Sequence, residues 1–189
     1  MPISRSLAER HVQEQTAKLA AHKQRSFWPQ YLFHTTYVSN AADIIRNGYL
    51  SARSELENFH DVANQGALNA YTGSHSYARL YFRPKNGYHI KTEGIKCLSD
   101  PYRQANQNSI PVNFLFDLPK VLTLPGVKFT QGNIQRSQNC ELDGDEEFNS
   151  LFFQLFTMTI TPIKIIETIF LTAGWRRLWF RTKFFLRIF

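Results

Sequence analysis

Cysteine is scarce in this sequence, and so are the short motifs that mark common enzyme classes. The 189 residues include two cysteines, Cys97 and Cys140, and neither lies in a C-x-x-C or C-x-x-H spacing. This pattern argues against a zinc site and a disulfide framework, and it fits a reducing cytoplasm. The chain also contains no G-x-G-x-x-G, P-loop or H-E-x-x-H motif. These short motifs therefore do not assign the chain to a catalytic class. We expect no metal cofactor.

A long hydrophobic run is also missing. The most apolar stretch, residues 148–174, is interrupted by Lys164 and Glu167, whereas a membrane-spanning helix needs about 20 consecutive apolar residues. Residues 175–180 are basic and aromatic and could form a patch at a membrane interface, but the interrupted run predicts no membrane segment. Residues 1–23 are charged and lack the apolar core of a secretory signal. We therefore expect a cytoplasmic protein.

Acidic residues are few in the last part of the chain. The formal net charge is +7 at pH 7. Residues 1–154 hold 16 Lys and Arg against 14 Asp and Glu, a net charge of +2, whereas residues 155–189 hold six against one, a net charge of +5. A basic protein often binds a polyanion. Because most of the positive charge belongs to the tail, it is weak support for nucleic-acid binding by the rest of the chain.

The first forty residues predict a helix followed by a strand. Residues 4–26 contain Ser6 and Glu9 at the spacing of a capping box, which indicates a helix start. Their apolar stripe is thin, so we expect a helix on the outside of the domain. The apolar stripe of this helix consists of Leu7, Val12 and Leu19. Residues 31–36 are rich in aromatic and β-branched side chains and predict a short strand.

Residues 39–50 predict a compact helix. Ser39 or Asn40 can cap its first turn, and Gly48 supplies a stop at its end. The helix should therefore pack one apolar face on the strand before it. The residues expected to face the core are Ile44 and Ile45.

The second half of the chain predicts more strands and a loop. Residues 77–84 alternate between polar and apolar and end at a proline, which is typical of a strand. Residues 112–118 and 121–129 are two further strand candidates, and residues 141–150 read as an acidic loop. Strands mixed with short helices, without a repeating β-α-β order, predict an α+β domain.

Few residues stand out chemically when each is taken alone. His34 lies at the end of a predicted strand, where a histidine can serve structure or catalysis. The carboxylates of the acidic loop lack the ligand spacing of a calcium-binding EF-hand loop, and such a run is usually a solvated surface. On this basis the chain is a soluble α+β domain without an assigned activity. The carboxylates are Asp143, Asp145, Glu146 and Glu147.

Several segments taken in order, however, resemble one known family. They are "LFHTTYVSNAADIIRNGYLSARSELE", "FHDVANQ", "ARLYFRPKNGYHIKTEGI", "PVNFLFDLPKVLTLPGVKFTQGN" and "FNSLFF". Over about Tyr31 to Phe153 the chain resembles the DarT family of DNA ADP-ribosyltransferases. The resemblance implies an ADP-ribosyltransferase-like split β-sheet core with short helices. It also implies an enzyme that transfers ADP-ribose from NAD to a base of single-stranded DNA, as the toxin of a toxin–antitoxin pair whose antitoxin carries a macrodomain (the DarG type).

The resemblance assigns cofactor-binding roles along the first strand and helix. The family's H-x-T segment falls on His34, Thr35 and Thr36. His34 is expected to bond the nicotinamide ribose, and the neighbouring backbone is expected to hold the carboxamide. Asn40 and Leu50 match further positions that line the cofactor.

Two further roles follow from the same resemblance. Arg53 could meet the pyrophosphate, because a forked guanidinium suits phosphate oxygens, and it is our candidate catalytic arginine. Tyr81 or Phe82 would stack on nicotinamide. The target base would be unstacked and held against aromatic or arginine surfaces.

The chain departs from the family pattern at two places in its body. The family commonly reads H-x-T-H, and Tyr37 stands where the second histidine is expected. Related members place a catalytic arginine in the segment that here covers residues 61–73, which contains none. Whether Arg53 or Arg79 takes that role is open.

The larger departure is at the end of the chain. The family continues after "FNSLxF" with a Tyr-His-Asp turn and an Arg-x-Ala-Glu-Val-x-Val-Pro strand whose glutamate is catalytic, and neither occurs here. A shifted reading frame can spell both, taking the third base of one codon with the first two of the next. In that frame Met158–Thr159 forces Asp, Trp175–Arg176 gives only Ala or Glu, and Trp179–Phe180 forces Val. We predict that the chain after about residue 154 is translated out of frame.

These inferences divide the chain into three parts. Residues 1–28 are expected to be a helical extension, residues 29–154 a DarT-like domain without its catalytic strand, and residues 155–189 an out-of-frame tail that packs poorly. The expected function is an NAD-dependent DNA ADP-ribosyltransferase that is inactive or crippled in this chain. The alternatives are a non-catalytic remnant that binds NAD or single-stranded nucleic acid, and an RNA-directed transferase of the same fold.

Overall fold

The computed structural model describes most of the first 151 residues and one strand near the end of the chain. Its α-helices are Arg5–Lys18 (α1), Val38–Asn47 (α2), Gly87–Thr92 (α3), Leu118–Leu122 (α4) and Gly144–Ser150 (α5). Its strands are Tyr31–Tyr37 (β1), Tyr77–Tyr81 (β2), Pro111–Asp117 (β3), Lys128–Thr130 (β4) and Thr168–Thr172 (β5). Short 3-10 helices lie at Trp28–Gln30, Arg53–Glu55 and Thr72–Ser76. The described residues are 1–22, 25–63, 66, 69, 72–84, 87–101, 103, 107–132, 141–151 and 168–172.

The strands form one antiparallel sheet in the order β3-β1-β2-β5-β4. β1 and β3 pair along their whole length, from Tyr31 opposite Asp117 to Tyr37 opposite Pro111. β5 pairs with β2 on one side and with β4 on the other. Helices combined with this antiparallel sheet confirm the predicted α+β class, and β1, β2 and β3 lie where the sequence predicts strands.

The sheet is split between β1 and β2. Over the described lengths of these strands, the ladder consists of Phe33 opposite Tyr81 alone. Beyond this point the two strands continue without pairing with each other, β1 toward Tyr37 and β2 back toward Tyr77. The gap exposes backbone and side chains from both strands, so it opens a cleft inside the sheet.

The hydrophobic core lies on one face of the sheet. Alternation along β2 buries Ala78 and Leu80 and turns Tyr77, Arg79 and Tyr81 to the other face. Full burial of one large apolar side chain stabilises the folded state by about 1.5–3 kcal/mol. The core contains side chains from both halves of the sheet and so holds them together. Among its members are Leu32, Leu80, Phe114, Phe116, Leu118, Leu122, Phe129 and Phe148.

Helix α1 is shorter than the sequence predicts, and it contributes to the core. It ends at Lys18 rather than near residue 26. Leu19 is the last residue of its stripe, and up to residue 26 no apolar side chain larger than alanine follows. Packing supplies most helical stability, so the helix ends with its stripe. The contributing side chains are Leu7 and Ala8.

The predicted capping box of α1 is not formed. The helix begins after Ser4, whose backbone N–H donates to Asp145 Oδ1 at 2.7 Å. Glu9 instead accepts a hydrogen bond from Arg5 Nε at 2.8 Å, one helical turn away. This pairing leaves Glu9 engaged along the helix, so the prediction of a Ser6–Glu9 box was wrong.

Helix α2 matches its prediction at the end but not at the start. Gly48 has φ +75°, in the left-handed region that glycine adopts without a steric penalty, and it ends the helix as expected. The capping residue is Tyr37, not Ser39 or Asn40. Ile44 packs against the core, whereas Ile45 is 52% exposed, because adjacent residues on a helix point about 100° apart.

Two segments of the second half form helices against expectation. Residues 121–129 were predicted as a strand, but residues 118–122 form α4 and only residues 128–130 form β4. Asp117 caps α4 by accepting from Lys120 N–H at 2.9 Å. The predicted acidic loop instead forms α5, whose first turn carries three carboxylates. Negative charge at the start of a helix interacts favourably with the helix dipole and stabilises the helix.

The tail contributes a strand that the sequence did not predict. Residues 168–172 form β5 between β2 and β4, so the expectation that the tail would not complete the sheet was wrong for these five residues. β5 reads Thr-Ile-Phe-Leu-Thr and contains no carboxylate. Residues 152–167 and 173–189 lie outside the described part of the chain, so the membrane-interface patch and most of the shifted-frame motifs lie there too.

Candidate functional site

A cavity of about 450 Å³ lies at the split in the sheet. Its walls come from the unpaired ends of β1 and β2, from α2, from α3 and from the loop over residues 49–63. Most small-molecule sites have volumes of about 300–1,000 Å³, so this cavity is large enough for a ligand. The residues predicted from sequence that line it are His34, Thr35, Thr36, Asn40, Leu50, Arg53 and Tyr81.

His34 bridges the split where the ladder between β1 and β2 ends. Its Nδ1 lies 3.0 Å from the carbonyl oxygen of Arg79 on β2. A carbonyl oxygen only accepts, so Nδ1 carries the proton and donates it. Burial lowers the pKa of His34, and the hydrogen bond to the backbone partly opposes this. The ring is therefore neutral near pH 7, which leaves Nε2 as an acceptor beside the cavity.

Both threonines of the predicted H-x-T segment already have hydrogen-bond partners. Thr35 Oγ1 donates to Asn113 Oδ1 at 2.6 Å, which ties β1 to β3. Thr36 is buried, and its Oγ1 accepts from Asn40 Nδ2 at 3.1 Å. These bonds fix the two side chains, and the β1 backbone at the same positions pairs with β3 where it borders the cavity.

Asn40 fastens the loop over residues 51–63 to α2. Its Nδ2 donates to the His60 carbonyl oxygen at 2.8 Å, and its Oδ1 accepts from His60 N–H at 2.8 Å. The imidazole of His60 also packs on the ring of Tyr37, with centroids 4.1 Å apart. Asn40 therefore acts through the loop, which it holds against the cavity.

Arg53 is held by an ion pair inside the same loop. Its Nη1 lies 3.1 Å from Asp61 Oδ1, and its Nη2 contacts Asp61 Oδ2, so the ion pair is bidentate. The guanidinium also lies 4.9 Å from the centre of the Phe59 ring, within cation–π range. Arg53 and Asp61 are both largely shielded from solvent, with 23% and 25% of their side chains exposed.

Arg79 has a different environment from Arg53. It lies on the face of β2 that turns away from the core, between Tyr77 and Tyr81, and it lines the cavity. Among the described residues its guanidinium makes no hydrogen bond or ion pair. Burial lowers the pKa of Arg79, with the charge of Arg53 acting in the same direction and Tyr81 and Asp61 opposing it. The guanidinium of arginine nevertheless stays charged at neutral pH.

Tyr81 and Phe82 lie on opposite sides of the sheet. Tyr81 lines the cavity, its ring edge-on to His89 at 5.2 Å, and burial raises the pKa of its hydroxyl, so it stays protonated. Phe82 is buried in the core and contacts Phe148. Neighbouring residues of an extended chain point to opposite faces, so only Tyr81 can offer its ring to a ligand, and the assignment of Phe82 to the site was wrong.

Two carboxylates that the sequence reasoning missed line the cavity. Asp61 pairs with Arg53, and Asp43 accepts from Arg46 Nη1 at 2.6 Å. Neither stands out in the sequence, because each is a single acid without a motif. The one sequence feature that could have indicated Asp61 is Arg53, its ion-pair partner eight residues earlier.

The carboxylates of residues 141–147 do not line the cavity. Glu141 comes nearest, since its Oε2 accepts from the hydroxyl of Tyr77 at 3.3 Å, and Tyr77 lines the cavity. Asp143 pairs with Lys128, and Asp145 accepts from Ser4 N–H. Glu167 lies outside the described residues. Asp143 and Asp145 therefore stabilise the fold around β4 and the start of α1.

The described residues contain neither a candidate metal centre nor a candidate membrane span. In that part of the chain no group of three or more His, Cys, Asp or Glu side chains could hold a metal ion. No described helix is long and apolar enough to span a membrane. A scan against protein-family models and a search of curated proteins each found no match to the chain.

Proposed function

We propose that this chain is a DarT-type ADP-ribosyltransferase domain that binds NAD in the cleft of its split sheet and has lost catalysis. The reaction of such a domain transfers ADP-ribose from NAD to a base of single-stranded DNA. One observation carries the proposal. Seven residues that the family resemblance assigns to the site, from His34 to Tyr81, meet at a single cavity although they span 48 residues of sequence.

The chemistry of the cavity supports a bent dinucleotide as its ligand. His34 Nε2 offers an acceptor for a ribose hydroxyl, and the ring of Tyr81 offers a surface for nicotinamide. Arg53 and Arg79 line the cavity, and a guanidinium group without a carboxylate partner recognises phosphate oxygens well. The β1 backbone beside Thr35 and Thr36 does not pair with β2, so it could hydrogen-bond to a carboxamide. No metal is needed for these contacts.

Loss of catalysis follows from the carboxylates. Breaking the bond between nicotinamide and ribose develops positive charge on the sugar, which a carboxylate beside it must stabilise. Asp61 is bound by Arg53, Asp43 is bound by Arg46, and β5 contains no acid. Losing one well-placed electrostatic group typically costs about 100- to 1,000-fold in rate. We propose that the chain does not modify single-stranded DNA detectably.

Calorimetry with NAD tests the binding part of the proposal. The unmodified chain should bind NAD, and His34→Ala should weaken binding about 5- to 10-fold, since one hydrogen bond contributes about 1 kcal/mol. His22→Ala is the matched control, because His22 is exposed in the turn after α1. Absence of binding to a folded sample would contradict the proposal.

A transfer assay tests the reaction and its substrate. A chain with the reading frame restored near codon 155 should label single-stranded DNA with ADP-ribose from NAD, and the present chain should not. Parallel assays with single-stranded RNA distinguish an RNA-directed transferase. Strong labelling by the present chain would show that the argument from the missing glutamate is wrong.

A further inference from the structure

Within the described part of the chain, the ion pairs around the cavity leave one of its positively charged side chains without a counter-ion. Asp61 neutralises Arg53, and Arg46 neutralises Asp43 from the exposed side of α2. Arg79 is the remaining charged side chain among the described residues that line the cavity, and within that set its guanidinium has no ion-pair partner. The cavity therefore carries one uncompensated positive charge.

Arg79 is also held in place by its surroundings. It lies between Tyr77 and Tyr81 on the cavity face of β2, and its own carbonyl oxygen is the acceptor for His34 Nδ1. A partly buried cation without a counter-ion is costly, because burial removes water that would solvate the charge. An anionic ligand would restore that stabilisation, so the position favours an anion over a neutral ligand.

We infer that Arg79, and not Arg53, is the anion-binding residue of the cavity, and that it takes the pyrophosphate of a dinucleotide. The identity of the anion rests on the proposed function, whereas the preference for an anion rests on the charges alone. Arg53 is a positioning residue, because its Nη1 and Nη2 each donate to one carboxylate oxygen of Asp61. A phosphate bound at Arg53 would lie beside the Asp61 carboxylate, and the repulsion between the two anions disfavours that position.

The lowered pKa of Arg79 is consistent with this division of roles. Its first cause is burial, and Arg53 contributes in the same direction. The charge of Asp61 opposes this lowering, but the ion pair of Asp61 is made with Arg53. The ion pair in the loop thus keeps the guanidinium of Arg79 available to a ligand.

Binding of phosphate-bearing and phosphate-free ligands tests the inference. The full chain and its Arg79→Gln, Arg79→Lys and Arg53→Gln variants are titrated with ADP-ribose and with nicotinamide riboside, which has no phosphate. Arg5→Gln is the control, since Arg5 is exposed on α1. Circular dichroism confirms that each variant is folded. Inorganic pyrophosphate is then added as a competitor of ADP-ribose.

Arg79→Gln should weaken ADP-ribose binding about 10- to 100-fold, the effect of losing hydrogen bonds to a charged group, and leave nicotinamide riboside unchanged. Arg79→Lys should retain part of the affinity, because it keeps the charge but loses the fork. Pyrophosphate should displace ADP-ribose from the unmodified chain. Arg53→Gln should weaken both ligands by the same factor.

Three results would overturn the inference. They are an unchanged ADP-ribose affinity in Arg79→Gln, a loss confined to ADP-ribose in Arg53→Gln, and no binding of ADP-ribose or pyrophosphate to the unmodified chain. Failure of the proposed function is a separate result. A frame-restored chain that binds ADP-ribose through Arg79 but labels no DNA would refute the transferase and leave the anion site standing.

Discussion

At the residue scale, two buried histidines have different surroundings. His34 donates to a backbone carbonyl beside the cavity, whereas His11 lies in α1 against the rings of Phe82 and Phe148. Burial lowers the pKa of His11 from 6.5 to about 4, and the charge of Lys18 adds to this effect. Both histidines are therefore neutral in the folded protein near pH 7.

The free energy of unfolding should fall as the pH falls from 7 to 5. In this window the unfolded chain binds a proton at His11 that the folded chain does not, so acid favours unfolding. A shift from 6.5 to about 4 corresponds to about 2 kcal/mol between pH 7 and 5. Urea unfolding at several pH values measures it, and His11→Leu should flatten the dependence.

The carboxylates do not obscure this measurement. The pKa values of Asp143 and Asp145 are lowered from 3.8 by their hydrogen bonds, to Lys128 and to Ser4 respectively. Their stabilisation is present above about pH 4 and is lost only below it, so it is constant between pH 5 and 7. An equally steep dependence in His11→Leu would assign the proton to another group, with His34 as the next candidate.

At the element scale, the start of α2 depends on a hydrogen bond that reaches across to a loop. Asn40 lies in the first turn, but its amide bonds to the backbone of His60. Ser39, its neighbour, is exposed. The first turn of the helix and the loop over the cavity are therefore coupled through one side chain.

Asn40→Ala should destabilise the protein by about 1–3 kcal/mol, because it removes two hydrogen bonds to the His60 backbone that contribute about 0.5–1.5 kcal/mol each. It should also weaken NAD binding and increase proteolysis within residues 51–63. Ser39→Ala, the matched control, should change stability by less than about 0.5 kcal/mol. Equal effects of the two substitutions would restore Ser39 as the cap and contradict the role given to Asn40.

Strand β5 makes a second prediction at this scale. Because it pairs with β2 and β4, its backbone amides should exchange with solvent more slowly than those of the exposed segment at residues 95–99. Hydrogen exchange followed by mass spectrometry measures this on the unmodified chain. Fast exchange across residues 168–172 would remove β5 from the sheet.

At the scale of the whole molecule, the sheet divides the protein into two halves around the cleft. The β3-β1 half carries His34, and the β2-β5-β4 half carries Arg79 and Tyr81. In the proposed reading frame, the catalytic glutamate would come from the segment that follows β5 in the sequence.

Restoring the reading frame should make the chain toxic to cells, whereas the present chain should be tolerated. The reason is that the restored segment would supply a catalytic glutamate, whereas Asp43 and Asp61 of the cavity are each paired with an arginine. Colony counts after induced expression measure this, and co-expression of a macrodomain antitoxin should rescue growth. Replacing the restored glutamate with glutamine is the matched control. Toxicity that persists in that control would have a cause other than transfer.

The sequence alone determined some of the local elements and the residue types that line the cavity. Period-two alternation in residues 77–84 and the glycine at position 48 act over a few residues, so β2 and the end of α2 could be predicted. The set of cofactor residues came from a resemblance in order and spacing. That set required no knowledge of distances, and it met at one cavity apart from Phe82.

Only the tertiary structure decided how these residues are paired. Residues 118–122 became a helix because Asp117 caps them, and residues 168–172 became a strand because β2 and β4 offer unsatisfied backbone on both sides. The same holds for charge, since Asp61 neutralises Arg53 and leaves Arg79 open. Long-range pairing depends on which partners the fold brings together, and a local pattern contains no information about them.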